Sequence, residues 1–184
     1  SMLCREEHFS TDWYQNWRRR IAVGAPVLDS DRRAVWGAVW DGLRDGKTMH
    51  RKLWEWCAIA QALEERGQLK RGRKGIGFAV GQEPLASLFA ASGVKLVVSD
   101  YYEQTANEGW ASTGQLGDSL SKTHWPGIIS YEEFCSKAVF QNIDMRDLSA
   151  VSQAAYDFSW SSCSFEHLGS LEAGLSFLIN SLAC

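Results

Sequence analysis

The segment from Lys74 to Asp100 constrains the fold of this chain more than any other part of it. Apolar residues over 74–80 predict a buried strand, a glycine-bearing turn follows, and 84–92 has the pattern of a helix. A second apolar run, 94–99, predicts another strand that ends at Asp100. Strand, helix and strand in this order make a βαβ unit, which predicts parallel strands joined by a right-handed crossover.

The turn of this unit has the composition of a nucleotide-binding turn. Gly75, Gly77 and Gly81 permit tight turning and close approach of a ligand to the backbone, and a helix that begins near Pro84 presents free N–H groups in its first turn. Asp100 lies nineteen residues after Gly81, which is near the spacing at which an acid reaches ribose hydroxyl groups. The turn and the acid together predict a nucleotide cofactor at the carboxyl ends of the strands.

The rest of the chain predicts an N-terminal helical segment and a longer α/β segment. Residues 1–70 carry apolar residues, several tryptophans among them, at helical spacing. After residue 100 the pattern predicts a long connection with a short helix near 103–110, then a helix, two strands and a final helix, at 130–137, 138–143, 156–161 and 170–182. We therefore predict a helical extension over 1–70 and, over 71–184, an α/β domain with a Rossmann-like, doubly wound, mostly parallel sheet of about four strands.

Composition and charge exclude several classes of partner. The chain has 184 residues, of which 45% are hydrophobic, which is ample for a buried core. Its formal charge of −3 provides no basic field for nucleic acid, and the basic clusters at 18–20 and 70–74 are typical of solvated faces. No apolar run approaches the length of a membrane span. Five cysteines without framework spacing favour reduced thiols and a cytoplasmic location.

Four segments resemble, in order, the motifs of the class I S-adenosylmethionine-dependent methyltransferases. They are GIGFAVGQEP (75–84), VVSD (97–100), NIDMRDL (142–148) and YDFSWSSCSFEHLGS (156–170). The resemblance implies S-adenosylmethionine as cofactor, held by seven residues: Gly75, Gly77, Gly81, Asp100, Asp144, Met145 and Ser161. It implies that the glycines flank the methionine part, that Asp100 accepts both ribose hydroxyl groups, and that Asp144 and the Met145 backbone bind the adenine edge. The implied acceptor is a small molecule or a glycan-linked group.

The segment from Ser161 to His167 is implied to face the transferring methyl group. His167 is the predicted base when the acceptor must lose a proton, since imidazole titrates near neutral pH, and Glu166 is the second choice. Cys163 and His167 are four residues apart, but no further ligand pair has metal spacing, so no metal is predicted. In the long connection, the residues predicted to close over the cofactor are Trp110, Thr113, Gly114 and Gln115.

The resemblance is incomplete in two respects. The first turn has Ala79 where the family commonly has glycine, and it lacks the acid that the family carries near Gly77. The family core has seven strands in the order 3-2-1-4-5-7-6, whereas the sequence of this chain predicts only four strands. An incomplete core would leave strand four as an open edge, so we expect one of three cases: a shortened chain, a fragment of a longer protein, or a homodimer that covers the edge. Two alternatives therefore stay open: a nicotinamide-dependent oxidoreductase, and a non-catalytic Rossmann-like interaction module.

Overall fold

The structure is a computed structural model, and it describes residues 4–25, 30–101 and 117–184, without the side chains of residues 30–35 and 166. The described helices and strands are, in chain order, a 3-10 helix (Glu6–Ser10), α1 (Asp12–Val23), α2 (Ser30–Asp45), α3 (Arg51–Glu65), β1 (Lys74–Phe78), α4 (Leu85–Ala91), β2 (Lys95–Asp100), α5 (Leu120–Thr123), α6 (Tyr131–Lys137), β3 (Ala138–Asn142), β4 (Phe158–Ser161), a second 3-10 helix (Phe165–His167) and α7 (Leu171–Ser181).

The four strands form one sheet in which all neighbours are parallel. Their order is β3-β2-β1-β4, with Ile76 of β1 opposite Val97 of β2 and Ser159 of β4. The order reverses between β1 and β4, and this reversal is the switch point at which open α/β sheets bind ligands. The predicted fold class, an α/β Rossmann-like sheet preceded by helices, is confirmed.

The predicted element boundaries agree with the structure to within two residues, apart from those of the N-terminal helices. β1 ends at Phe78 rather than at residue 80 because Ala79 turns into the left-handed region, with a φ of 49°. β4 begins at Phe158 rather than at residue 156, and the preceding Asp157 accepts the backbone N–H of Lys74 at 2.8 Å. The short helix predicted near 103–110 lies outside the described residues.

The sheet has helices on both of its faces. On one face Leu96 and Val98 share a hydrophobic cluster with α4 and with the buried residues of α1, α2 and α3. On the other face Ile76 and Phe78 share a second cluster with Phe177 of α7. The two central strands, β1 and β2, are buried from their second residues onward, as is typical of parallel sheets. The outer strands are less covered: β3 is mostly exposed or half-buried, and β4 alternates aromatic residues with serine.

A cluster of indole rings joins the N-terminal helices to the rest of the chain. Trp56 of α3 lies 5.9 Å from Trp36 of α2 and 6.2 Å from Trp125, measured between ring centroids. Trp125 Nε1 donates a hydrogen bond to the carbonyl oxygen of Gln82 at 2.9 Å, in the turn after β1. The tryptophans predicted at helical spacing thus contribute to the core. The division into segments 1–70 and 71–184 stays a prediction.

Two glycines of β1 make room for aromatic side chains of the neighbouring strand. A Cβ atom added at Gly75 would lie 2.5 Å from Cζ of Phe158, and one added at Gly77 would lie 2.3 Å from Cζ2 of Trp160. Neither ring can move freely, because Phe89 of α4 packs against both in edge-to-face geometry. These glycines therefore have a structural function in the packing between β1, β4 and α4.

We expect the substitution Gly77→Ala to destabilise the fold by about 1–3 kcal/mol, because the added methyl group overpacks a buried site. Urea unfolding followed by circular dichroism measures this loss. The matched control is Gly174→Ala in α7, where the nearest atom to an added Cβ is 3.9 Å away and alanine favours the helix. The control variant is expected to unfold at an equal or higher urea concentration than the parent chain. Equal stability of the Gly77→Ala variant and the parent would contradict the packing argument.

Among the described residues, no helix combines the length and the apolar character that are needed to cross a membrane.

Candidate functional site

The carboxyl ends of the strands border a cavity of about 190 Å³, which we call the main cavity. It is lined by residues that follow each of the four strands: Ala79, Asp100, Tyr101, Ile143, Asp144, Met145, Arg146, Ser164, His167 and Leu168. Four of the residues that were predicted to act in binding or catalysis are brought together here, although they come from three segments of the sequence. These four are Asp100, Asp144, Met145 and His167.

Asp100 is the buried acid at the end of β2, with 2% of its surface exposed. Its Oδ1 accepts the backbone N–H of Tyr101 at 2.9 Å, and its Oδ2 accepts that of Gly117 at 3.0 Å. Burial raises the pKa of this carboxyl group, and the N–H groups of Gly117, Tyr101 and Gly81 oppose the rise. Because a carboxylate has about four acceptor positions and three of them face these N–H groups, Asp100 keeps capacity for about one further hydrogen bond from the cavity.

Asp144 lies after β3 and forms an ion pair with Arg146. Arg146 Nε donates to Asp144 Oδ1 at 2.9 Å, and its Nη2 donates to Oδ2 at 2.6 Å. This hydrogen bonding holds the pKa of Asp144 below its usual value. The Arg146 guanidinium also lies 5.6 Å from the ring centroid of Tyr101. The side chain of Met145, between Asp144 and Arg146 in the sequence, is buried. The end of β3 therefore offers a fixed carboxylate, a planar cation and an apolar side chain to the main cavity.

The turn after β1 has unusual backbone geometry. Ala79 has a φ of 49° and Gly81 a φ of 53°, and a left-handed conformation costs a residue with a Cβ about 1–2 kcal/mol. The turn is held in place because Val80 N–H donates to the carbonyl oxygen of Ser99 at 3.0 Å. Ala79 was noted in the sequence as a departure from the family's glycine, and the structure shows that this position has the conformation that favours glycine.

The other residues predicted to contact the cofactor are packed against the protein. Gly75 and Gly77 lie within β1 against aromatic rings, as described above. Ser161 Oγ donates to the carbonyl oxygen of Phe78 at 2.9 Å and lies 2.5 Å from Ser164 Oγ, so it ties the end of β4 to the end of β1. Of this pair, Ser164 lines the main cavity.

The residues predicted to act in catalysis are only partly described. His167 lies at the end of the second 3-10 helix and lines the main cavity. The side chain of Glu166 lies outside the described part of the chain, as do Trp110, Thr113, Gly114 and Gln115. Cys163 does not share a site with His167, because its Sγ–H donates to Glu55 Oε2 at 2.6 Å on the side of the N-terminal helices.

A second, smaller cavity lies beside the main one, between the turn after β1 and the N-terminal helices. Its volume is about 20 Å³, the space of about one water molecule. The residues that line it are Trp36, Lys52, Trp56, Ala79, Val80, Gly81, Gln82, Glu83, Ser162 and Cys163. We call it the side cavity. Ala79 lines both cavities, and Gly81 of the predicted cofactor set lines this one.

Glu83 is the buried acid of the side cavity, with 4% of its surface exposed. Trp160 Nε1 donates to its Oε1 at 2.9 Å, and Ser162 Oγ donates to its Oε2 at 2.7 Å. Burial raises the pKa of Glu83 to about 7, although both hydrogen bonds and the charge of Lys52 oppose the rise. A carboxyl group that titrates near neutral pH inside a cavity is a candidate for proton transfer.

The sequence analysis did not single out Glu83. An acid just before a helix is ordinarily taken as a solvent-exposed partner of the helix dipole. Its burial arises because Trp160 and Ser162, 77 and 79 positions away, approach it in the folded chain. The one local signal was its position between the glycine turn and Pro84, in the motif GQEP.

No family model, no curated protein and no solved structure matches this chain.

Proposed function

We propose that this chain binds S-adenosylmethionine in the main cavity and transfers its methyl group to a small-molecule or glycan-linked acceptor. The observation that carries the proposal is the convergence of Asp100, Asp144 and Met145 on one cavity at the switch point of a parallel sheet. The resemblance assigns these three residues to the ribose and the adenine. The strand order β3-β2-β1-β4 is also the order of the first four strands of that family's core.

The residues of the main cavity fit an adenosyl group in their chemistry. Asp100 retains about one acceptor position for a ribose hydroxyl group. Asp144 would accept an exocyclic amine in exchange for one of its hydrogen bonds from Arg146. Met145 and Ile143 provide apolar surface for a flat base. When bound, the cofactor supplies a methyl group on a sulfonium, and the protein's contribution is to orient the acceptor and to exclude water.

Isothermal titration calorimetry with S-adenosylmethionine and S-adenosylhomocysteine tests the binding site. We expect Asp100→Asn to weaken binding of both by about 10–100-fold, because hydrogen bonds to a charged group contribute about 1.5–3 kcal/mol. Asp144→Asn is expected to weaken the binding of both ligands as well. The matched control is Asp147→Asn, which changes an exposed acid three residues away that does not line the main cavity. Thermal melting of each variant shows whether the fold is retained. Unchanged affinity in a folded Asp100→Asn variant would remove the assigned ribose contact.

The same titration separates the proposal from its two alternatives. An acid at the end of β2 also suits the ribose of a nicotinamide dinucleotide, so reduced nicotinamide dinucleotide is titrated in parallel. Binding of the dinucleotide without binding of S-adenosylmethionine would favour an oxidoreductase. Binding of neither would favour a non-catalytic module. The predicted homodimer across β4, which lies at the edge of the described sheet, is tested by light scattering.

A further inference from the structure

The last helix, α7, has an apolar side that is exposed. The inward side of the helix packs on the sheet, because Gly174 and Phe177 are buried and the ring centroid of Phe177 lies 5.1 Å from that of Phe78. Five other large apolar residues of α7 and its C-terminal end are between 47% and 88% exposed, and we call them the α7 stripe: Leu171, Leu175, Leu178, Ile179 and Leu182.

The α7 stripe is distinct from the polar side of the helix. Successive residues of a helix are rotated by about 100°, which places Glu172, Ser176 and Asn180 together on one exposed side. The stripe lies between this polar side and the inward side that carries Phe177. A helix that packs only on its own core needs one apolar side and one polar side. The third side of α7, which is apolar and exposed, therefore indicates a further contact.

The spacing of the α7 stripe is that of a contact between two helices. Leu171, Leu175, Leu178 and Leu182 follow one another at intervals of four, three and four residues. This is the spacing of the seam along which two helices pack knobs into holes. Ile179 lies four residues after Leu175 and widens the seam on one side. The stripe therefore fits a helical partner better than a flat or extended one.

The α7 stripe is large for a surface that only meets water. Its exposed fractions add up to about three whole leucine-sized side chains, and monomeric proteins rarely expose a contiguous apolar patch larger than a few hundred Å². Two stripes packed on each other would cover about twice that surface. With the polar rim around it, such a contact reaches the low end of specific interfaces, about 1,200 Å² in total.

We propose that the α7 stripe is the contact between two copies of this chain, in which each α7 packs against the α7 of the other copy around a two-fold axis. The stripe contains no charged residue, so two copies bury no unpaired charge when they meet. Wherever side chains are described, each of the other α-helices exposes at most one large apolar residue. The surface of this chain that matches the stripe is therefore the stripe itself, as an isologous contact requires.

This inference does not depend on the proposed function, because no residue of the α7 stripe lines the main cavity. It also differs from the homodimer considered in the sequence analysis, in which a second copy covers the edge of β4. The two contacts are distinguishable by experiment, because the side chains of the stripe can be changed without altering β4.

The test measures the molar mass of the full chain by sedimentation equilibrium from about 1 µM to about 500 µM. We expect a monomer–dimer equilibrium with a dissociation constant on the order of 1–100 µM, as suits a contact at the low end of interface size. Leu175→Glu is expected to raise this constant by about 100-fold or more, because its carboxylate would be buried without a partner. Met49→Glu is the matched control: Met49 is 51% exposed, as Leu175 is, but it lies before α3, and its change is expected to stay within about twofold.

A mixing experiment shows whether residue 175 of one copy lies near the same residue of the other. Leu175→Glu and Leu175→Lys are each expected to be monomeric, since like charges repel across the axis. An equimolar mixture of the two is expected to form a mixed dimer, because the charges are then opposite. Circular dichroism of each variant is expected to match that of the parent chain, because the side chain of Leu175 is half exposed in the folded chain.

Each outcome supports or overturns the assignment. Loss of the dimer in Leu175→Glu, with its retention in Met49→Glu and its return in the mixture, supports the α7 contact. A parent chain that stays monomeric up to about 500 µM would overturn the proposal. A dimer that persists in both Leu175→Glu and Leu178→Glu would place the contact elsewhere, for example at β4. Growth of the parent into assemblies larger than a dimer would contradict a closed two-fold contact.

Discussion

Replacing Trp56 with alanine is expected to destabilise the chain by about 3–5 kcal/mol, the usual cost of truncating a fully buried large aromatic residue. The side chain has no exposed surface and contacts the rings of both Trp36 and Trp125. Its loss would leave a cavity between the N-terminal helices and the turn after β1, where Trp125 is anchored to Gln82. The expected consequence is weaker attachment of the helices to the sheet.

Guanidinium unfolding followed both by circular dichroism and by fluorescence measures this effect, and agreement between the two transitions supports a two-state reading. Trp13→Ala is the matched control, because Trp13 is only partly buried at the edge of the same cluster. We expect the control to lose clearly less stability than Trp56→Ala. Equal losses, or a Trp56→Ala variant as stable as the parent, would contradict the view that Trp56 joins the two parts of the core.

The architecture could be predicted because its signals are local. The period of apolar residues distinguishes helices from strands, and end signals lie within a few residues of each boundary. Ser130 and Ser170, for example, are the first residues of the predicted helices 130–137 and 170–182, and their hydroxyl groups accept the N–H groups of Glu133 and Ala173. The end of β1 was misjudged by two residues because the left-handed turn at Ala79 has no signal in the side chain.

The candidate site was less predictable because its groups meet through long-range packing. Strand ends converge in any parallel sheet, so Asp100 and Asp144 could be placed at one edge from the sequence. The surroundings of Gly77 depend on the register of β1 with β4, which brings Trp160 beside it, and no local pattern indicates this neighbour. Glu83 is buried by residues from α3 and from the segment after β4, so its raised pKa is a property of the folded chain alone.

The burial of Glu83 also has a consequence for stability that does not depend on any ligand. Its pKa is raised from 4.5 to about 7 on folding, so the folded chain holds a proton that the unfolded chain releases over this interval. Stability therefore falls as pH rises from about 4.5, and above about 7 both states are ionised and the full penalty is present. At about 1.4 kcal/mol per pKa unit, this penalty is on the order of 3 kcal/mol.

The substitution Glu83→Gln removes this penalty, since glutamine stays neutral and keeps an oxygen for Trp160 or Ser162. We expect the difference in unfolding free energy, variant minus parent, to increase by roughly 2.5 kcal/mol between pH 5 and pH 8. Glu172→Gln on α7 is the opposite control: the folded pKa of Glu172 is lowered, so its carboxylate stabilises the fold above the unfolded value and its removal costs stability at pH 8. Urea unfolding at both pH values measures the two differences. A pH-independent difference for Glu83→Gln would show that Glu83 is already ionised in the folded chain at pH 5, which would contradict the raised pKa that its burial predicts.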